Sequence, residues 1–183
     1  MMGSMPRKPV ARDAVLDAYE RLLIDVGERA ATLDAVAKEA GVSKGGLLYH
    51  FPNKEALISA LLERFVAHAE DDLAMMKAAP EGAAEYFIST SIFADTPMDR
   101  AFVAANRLAE VAHAEARQRF TAIQGRWLDL IADDVGAAAA KAVLYMGDGM
   151  YFNAVWESRA GIASPNREAD VESLIQAVRK LRN

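Results

Sequence analysis

Between Thr32 and Lys54 the chain reads TLDAVAKEAGVSKGGLLYHFPNK, and its stop signals leave it few ways to fold. Gly41 ends any helix begun after Thr32, and Pro52 disfavours helical geometry in the residue before it. Thr32 and Ser43 are N-cap residues. Leu33, Val36, Ala37 and Ala40 repeat at the spacing of one helical face. The segment therefore predicts a helix, a reversal pivoting on Gly41, and a very short helix from Ser43 through Phe51, which is helix-turn-helix spacing. Leu47 and Phe51, four residues apart, face inward and leave Lys44, Tyr49 and His50 outside. The short helix carries two adjacent glycines, Gly45 and Gly46, each costing about 1 kcal/mol against alanine in a helix interior. Either the tertiary corner holds this helix regardless of them, or bare backbone is needed for close approach to a partner, as base edges and thymine methyls in a major groove about 12 Å wide would require.

The rest of the sequence is also helical in pattern. No strand-length alternation and no Asn-Gly or Asp-Gly hairpin separates apolar runs. The six prolines, Pro6, Pro9, Pro52, Pro80, Pro97 and Pro165, all fall at boundaries. Helices are expected over 11–26, 54–77, 81–94, 98–114, 115–135, 137–158 and 168–181, with a loop at RAGIASPNRE. The fold class is all-α: a three-helix head over residues 1–53, joined by a long helix to a helical body over 54–183. The boundary falls within a helix and not in a flexible linker.

Net charge is −5, but its distribution is uneven: residues 1–54 carry a net +1 and the remainder a net −6. A mildly basic head on an acidic body permits polyanion contact at one end only. With no cysteine, disulfide scaffolds and thiolate metal sites are excluded, and a reducing cytoplasm is the expected location. No apolar run of about 18 residues marks a membrane span. The segment Met1–Val10 lacks the apolar core of a signal peptide, and no cofactor or metal site is expected.

The wording TLDAVAKEAGVSKGGLLYHFPNKEALISALL resembles the N-terminal DNA-binding domain of TetR/AcrR-type transcriptional regulators. The resemblance covers about residues 10–60. It rests on Thr32, Ala37, Ala40–Gly41–Val42, Ser43–Lys44–Gly45, Leu47, Tyr49–His50–Phe51 and Lys54–Glu55–Ala56–Leu57. It implies a double-stranded DNA operator, most simply a palindrome bound by a homodimer, and a small-molecule effector held in the helical body. Such heads usually carry a phosphate-binding tyrosine where this chain has Leu48. Leucine cannot make that contact and is assigned to packing or to an apolar contact at the DNA surface. The candidate DNA-binding residues are Thr32, Ser43, Lys44, Gly45, Gly46, Tyr49, His50 and Lys54. Lys44 suits guanine O6 or N7, and Tyr49 a thymine methyl or a phosphate. Thr32, Ser43, His50 and Lys54 suit backbone positioning, the first two through helix N-termini. Arg7, Lys8 and Arg12 form a basic segment ahead of the motif.

In the body, aromatic and polar residues on apolar faces are candidate pocket residues. They are Phe65, His68, Phe87 and Phe102, then Asn106, Arg107 and Trp127, then Tyr145, Asp148, Tyr151 and Phe152. Asp148 sits between Gly147 and Gly149 and needs a partner if buried, either Arg107 or a cationic ligand. Candidate dimer residues are Ala139, Val143, Val171, Leu174, Ile175 and Val178. The resemblance implies a four-helix bundle made by the last two helices across a two-fold axis. The rivals are a DNA-binding regulator with no effector and, remotely, a helical-bundle metalloenzyme. Glu110-Val-Ala-His113 matches one Glu-x-x-His element, but that site needs two such elements and two further glutamates.

Overall fold

The reversal at Gly41 is closed by two backbone hydrogen bonds. The Gly41 N–H donates to the Lys38 carbonyl at 3.2 Å, and the Val42 N–H to the Ala37 carbonyl at 3.0 Å. This is a Schellman closure, and it needs the left-handed φ of +66° that Gly41 adopts. The computed structural model describes residues 8–111, 113–162 and 167–182, and all regular structure among them is helical. The helices are α1 (Lys8–Asp25), α2 (Leu33–Glu39), α3 (Lys44–His50), α4 (Lys54–Ala78) and α5 (Ala83–Thr90), followed by α6 (Pro97–Glu110), α7 (Ala114–Val135), α8 (Ala137–Arg159) and α9 (Arg167–Leu181). Arg7 of the basic segment and residues 163–166 of the expected loop lie outside the described residues.

Two boundaries differ from the sequence pattern. Helix α5 ends at Thr90 and not near Ala94. The hydroxyls of Thr90 and Ser91 donate back to the carbonyls of Tyr86 and Phe87, at 2.9 and 2.6 Å, and compete with helix continuation. Helix α6 ends at Glu110 and not near Ala114, and α7 begins after His113, whose Nδ1 accepts from the Ala116 N–H at 3.4 Å.

Packing divides the chain into two compact units. One takes the chain through His68 together with Pro97–Phe120; the other takes Ala69–Thr96 and Thr121 onward. The division thus falls inside α4, fifteen residues beyond the 53/54 boundary expected from the motif, because the first turns of α4 pack with the head.

In the first unit α1 packs on α2, α3 and α6. Val15, Leu16, Tyr19 and Leu23 from α1 are fully or nearly fully buried, as are Val36, Leu47 and Phe51. Burying a side chain of this size stabilises by about 1.5–3 kcal/mol. Arg64 of α4 reaches three carboxylates of α1: Asp17 at 2.6 Å, Glu20 at 3.2 Å and Asp13 at 3.4 Å. Burial pushes the Glu20 carboxyl above its ordinary range, with Arg64 pulling the other way. Phe65, Phe102 and Phe120 group around one another with ring centroids 5.0–6.1 Å apart, tying α4 to α6 and α7.

The second unit has its own clamp. Glu85 of α5, buried, accepts from Arg179 at 2.8 Å and from Arg182, which also reaches Asp134 at 2.7 Å. Arg179 above all, then Arg182, holds the Glu85 carboxyl below its usual range. Its stabilising contribution is therefore present above the ordinary glutamate pKa and lost as pH falls through the lowered folded value.

Helix α8 approaches α5 closely at Gly147. A Cβ built there would sit 2.3 Å from Phe87 Cε1 and 2.7 Å from Ser91 Oγ. Gly147→Ala is expected to destabilise the protein by about 1–3 kcal/mol, because the Phe87 ring must shift. Chemical denaturation of the two forms measures it, and an unchanged midpoint contradicts the close approach.

Candidate nucleic-acid interface

The outward face of α3 is built by what its inward face must do. Leu47 is fully buried and Phe51 nearly so. Lys44, Leu48, Gly45 and Tyr49 follow one another around the adjoining arc at 3.6 residues per turn, with Gly45 and Tyr49 opposite Leu47, and all four are exposed. Tyr49 is 69% exposed and Leu48 36%. His50 is half-buried and makes an edge contact with Tyr49, ring centroids 5.2 Å apart.

Both expected N-caps are in place. Thr32 Oγ1 accepts from the Ala35 N–H at 3.2 Å, and Ser43 Oγ from the Gly46 N–H at 3.0 Å. Each cap uses the hydroxyl oxygen as acceptor and leaves its proton to donate outward, toward a phosphate in the DNA-facing reading.

The two lysines are positioned differently from expectation. Lys44 Nζ donates to Asp34 at 3.0 Å in an exposed pair. Lys54 Nζ donates to the Glu28 carboxylate at 2.6 Å and to the Glu28 carbonyl at 3.2 Å, and is only part-exposed. Each can reach DNA only by exchanging a carboxylate for a phosphate or a base edge. Sequence reading missed both partners. Asp34 is ten residues before Lys44, and Glu28 twenty-six before Lys54, so nothing local announces either pair.

The glycines separate. A Cβ at Gly45 would meet nothing within 4 Å, whereas one at Gly46 would lie 3.2 Å from Ser43 Oγ, against the cap. The protein's own packing accounts for Gly46 and not for Gly45.

The family description "Bacterial regulatory proteins, tetR family" matches residues 15–61. The likeness to that family is to its head and spans about a quarter of the chain. It is 35% identical over 97 residues to the HTH-type transcriptional regulator BetI of Rhizobium meliloti, a match covering 51% of this chain and 48% of that protein. It is 39% identical over 59 residues to the nucleoid occlusion factor SlmA of Aliivibrio fischeri, covering 32% and 30%. The chain thus spans less than half the length of these relatives. Among solved structures, Salmonella enterica GusR aligns with TM-score 0.67 at 19% identity over 98% of both chains. The multidrug binding protein EbrR complexed with malachite green aligns with TM-score 0.65 at 17% identity over 96% of this chain and 98% of that one. These likenesses show an all-helical fold shared with those proteins.

The expected pocket residues are divided between the two units. Phe65 and Phe102 belong to the aromatic core of the first unit. His68 is half-buried on α4 at the end of that unit. Asn106 and Arg107 both donate to Glu110 on their own helix, at 3.0 and 3.1 Å. Arg107 is therefore not the partner of Asp148; Gln124 is, donating at 3.1 Å. Tyr145 is 66% exposed and lines no interior. Phe87 and Trp127 meet in the second unit, centroids 6.3 Å apart, and Tyr151 stacks edge-on to both Phe93 and Phe152. Sequence reading missed Asp72, which accepts from Trp127 Nε1 at 2.8 Å and from the Tyr86 hydroxyl at 3.1 Å. The signal was present: Asp72 falls on the inward stripe of Ala69, Leu73 and Met76. Burial pushes the carboxyls of Asp72 and Asp148 up, and burial together with Asp72 pushes the Tyr86 phenol up to about 12. A separate open groove of about 340 Å³ runs along Glu70, Leu73, Ala74, Lys77, Arg126, Asp129 and Leu130, and none of the expected pocket residues lines it.

Two of the expected dimer residues are corrected. Val143 and Val178 have no exposed surface within the protomer and serve its own core. Ala139, Val171, Leu174 and Ile175 are half-exposed.

Gly45→Ala is expected to leave thermal stability unchanged or slightly raised, since alanine gains up to about 1 kcal/mol in a helix. DNA affinity should nevertheless fall at least about tenfold if the backbone there approaches base edges. Equal affinity of the two forms in a titration of labelled duplex contradicts that approach. Glu28→Gln removes the carboxylate charge that holds Lys54 and leaves only neutral acceptors. It should raise affinity and steepen the dependence of log K on log salt by roughly one unit per half-site if Lys54 then takes a phosphate. An unchanged slope excludes Lys54 from the backbone contacts.

Proposed function

We propose that the protein is a dimeric DNA-binding regulator, most simply a repressor, that binds a palindromic operator and is released by a small molecule held in its second unit. The observation that carries this reading is the TetR-family match over 15–61, with Lys44, Gly45, Leu48 and Tyr49 turned outward on one face of α3.

Dimerisation is supported by α8. Tyr145 and Trp156, 66% and 64% exposed, lie eleven residues apart on one face, with the exposed Gly149 between them. Aromatic groups this exposed suit a second copy better than water. In this reading Tyr145, Gly149 and Trp156 join Ala139, Val171, Leu174 and Ile175 at the two-fold. Each head then meets a half-site, with centres about 34–36 Å apart or a multiple of that.

Effector binding is supported by the acidic and aromatic group of the second unit. Asp72 and Asp148 are held by the neutral donors Trp127, Tyr86 and Gln124, beside Phe87. Carboxylates so placed favour a ligand carrying positive charge. The ligand must bind the DNA-incompetent state better; a swing from 1:99 to 99:1 takes about 5.5 kcal/mol of differential affinity. The match to a nucleoid occlusion factor supports a second reading, in which the head binds DNA without a small-molecule effector. Among the described residues no helix is long and apolar enough to cross a membrane, which fits action on DNA in the cytoplasm.

Selection of bound duplexes from a random pool tests the DNA reading, with a symmetric consensus expected. A pool that shows no enrichment removes it. A thermal-shift screen of organic cations, followed by operator release, tests the effector. A consensus with no releasing compound, across neutral and cationic sets alike, favours the second reading.

A further inference from the structure

The outward face of α3 is unusual in its chemistry. Of its four residues, Gly45 brings no side chain, and the Lys44 ammonium is held 3.0 Å from Asp34. Tyr49 brings one hydroxyl. Leu48 brings only carbon, yet it is 36% exposed and lies outside the core that Leu47 and Phe51 fill. One turn away, the empty space over Gly45 extends at least 4 Å from where a Cβ would stand. Leu48 is thus the wholly apolar side chain of this face, beside a neighbour that has been cleared.

Base edges in the major groove are almost all donors and acceptors. The one apolar group there is the C5-methyl of thymine. Leucine can neither donate nor accept, so against any other base edge it would strip water from a polar atom without replacing it. We infer that Leu48 reads sequence by packing on a thymine methyl in each half-site. This rests on the DNA-binding reading proposed above and adds to it one residue, one base and one group on that base.

The test replaces each thymine of the selected operator, one position at a time, by deoxyuridine. That change deletes the methyl and keeps the pairing and the O4 acceptor. At one thymine per half-site, wild-type affinity should fall about four-fold, and about fifteen-fold when both half-sites are changed. In Leu48→Ala the loss should already be present on the thymine duplex, and the thymine-to-deoxyuridine ratio at that position should fall to about one. Leu48→Met keeps an apolar tip and should retain most of the ratio. If Leu48→Ala binds too weakly to titrate, Leu48→Val serves instead, with a ratio expected between the two.

The inference is overturned if no thymine position distinguishes the two bases in the wild type. It is equally overturned if the ratio persists unchanged in Leu48→Ala or Leu48→Val, which would give the methyl to Tyr49. Both outcomes presuppose a selected operator. Failure of the selection itself would instead strike the proposed function, so the two failures are distinguishable.

Discussion

The attachment of Arg64 to α1 is the constraint on which the head depends. One guanidinium on α4 meets Asp13, Asp17 and Glu20, three carboxylates on successive turns of α1. Two of those partners are mostly exposed, and each such pair alone contributes little. Glu20 is different: it is buried, and loss of Arg64 would remove the cation that most offsets its charge. The planar fork of arginine suits this arrangement, and lysine, a point charge, would not serve two carboxylates at once in the same way. Helix α1 in turn packs on α2 and α3, so the outward face of α3 takes its orientation from the helix that Arg64 holds.

Local signals were legible in the sequence, and long-range pairings were not. The caps at Thr32 and Ser43 and the reversal at Gly41 follow from residue type at a position, and all three appear with the expected hydrogen bonds. Arg64 went unread because its partners lie 44 to 51 residues away, although Asp13, Asp17 and Glu20 repeat at helical spacing. The pairing of Arg107 with Asp148 failed for the opposite reason. Glu110, one turn on, already satisfies Arg107, and a local partner needs no tertiary geometry. The end of α5 shows a similar competition, with Thr90 and Ser91 drawing on their own helix carbonyls.

Apolar periodicity has its own blind spot. It marks Val143 and Val178 as strongly as any interface residue, yet both are spent on the protomer's own core. Tyr145, read as a pocket candidate, is instead exposed on the protomer, and so is Trp156. Period reports that a helix has an apolar face and not whether a neighbour of the same chain covers it. Asp72 illustrates the converse. A charged residue on an apolar stripe reads as an exception, and its meaning emerges only when Trp127 and Tyr86 are seen to converge on it from two other helices.

Lys44 and Lys54, already engaged by Asp34 and Glu28, bear on how the protein behaves away from its site. Random duplex offers a phosphate in trade for a carboxylate, a nearly even exchange that yields little attraction beyond counterion release. On the DNA-binding reading proposed above, a head whose lysines are already engaged gains less from bulk duplex than one whose lysines stand free, so fewer copies would be held away from the operator.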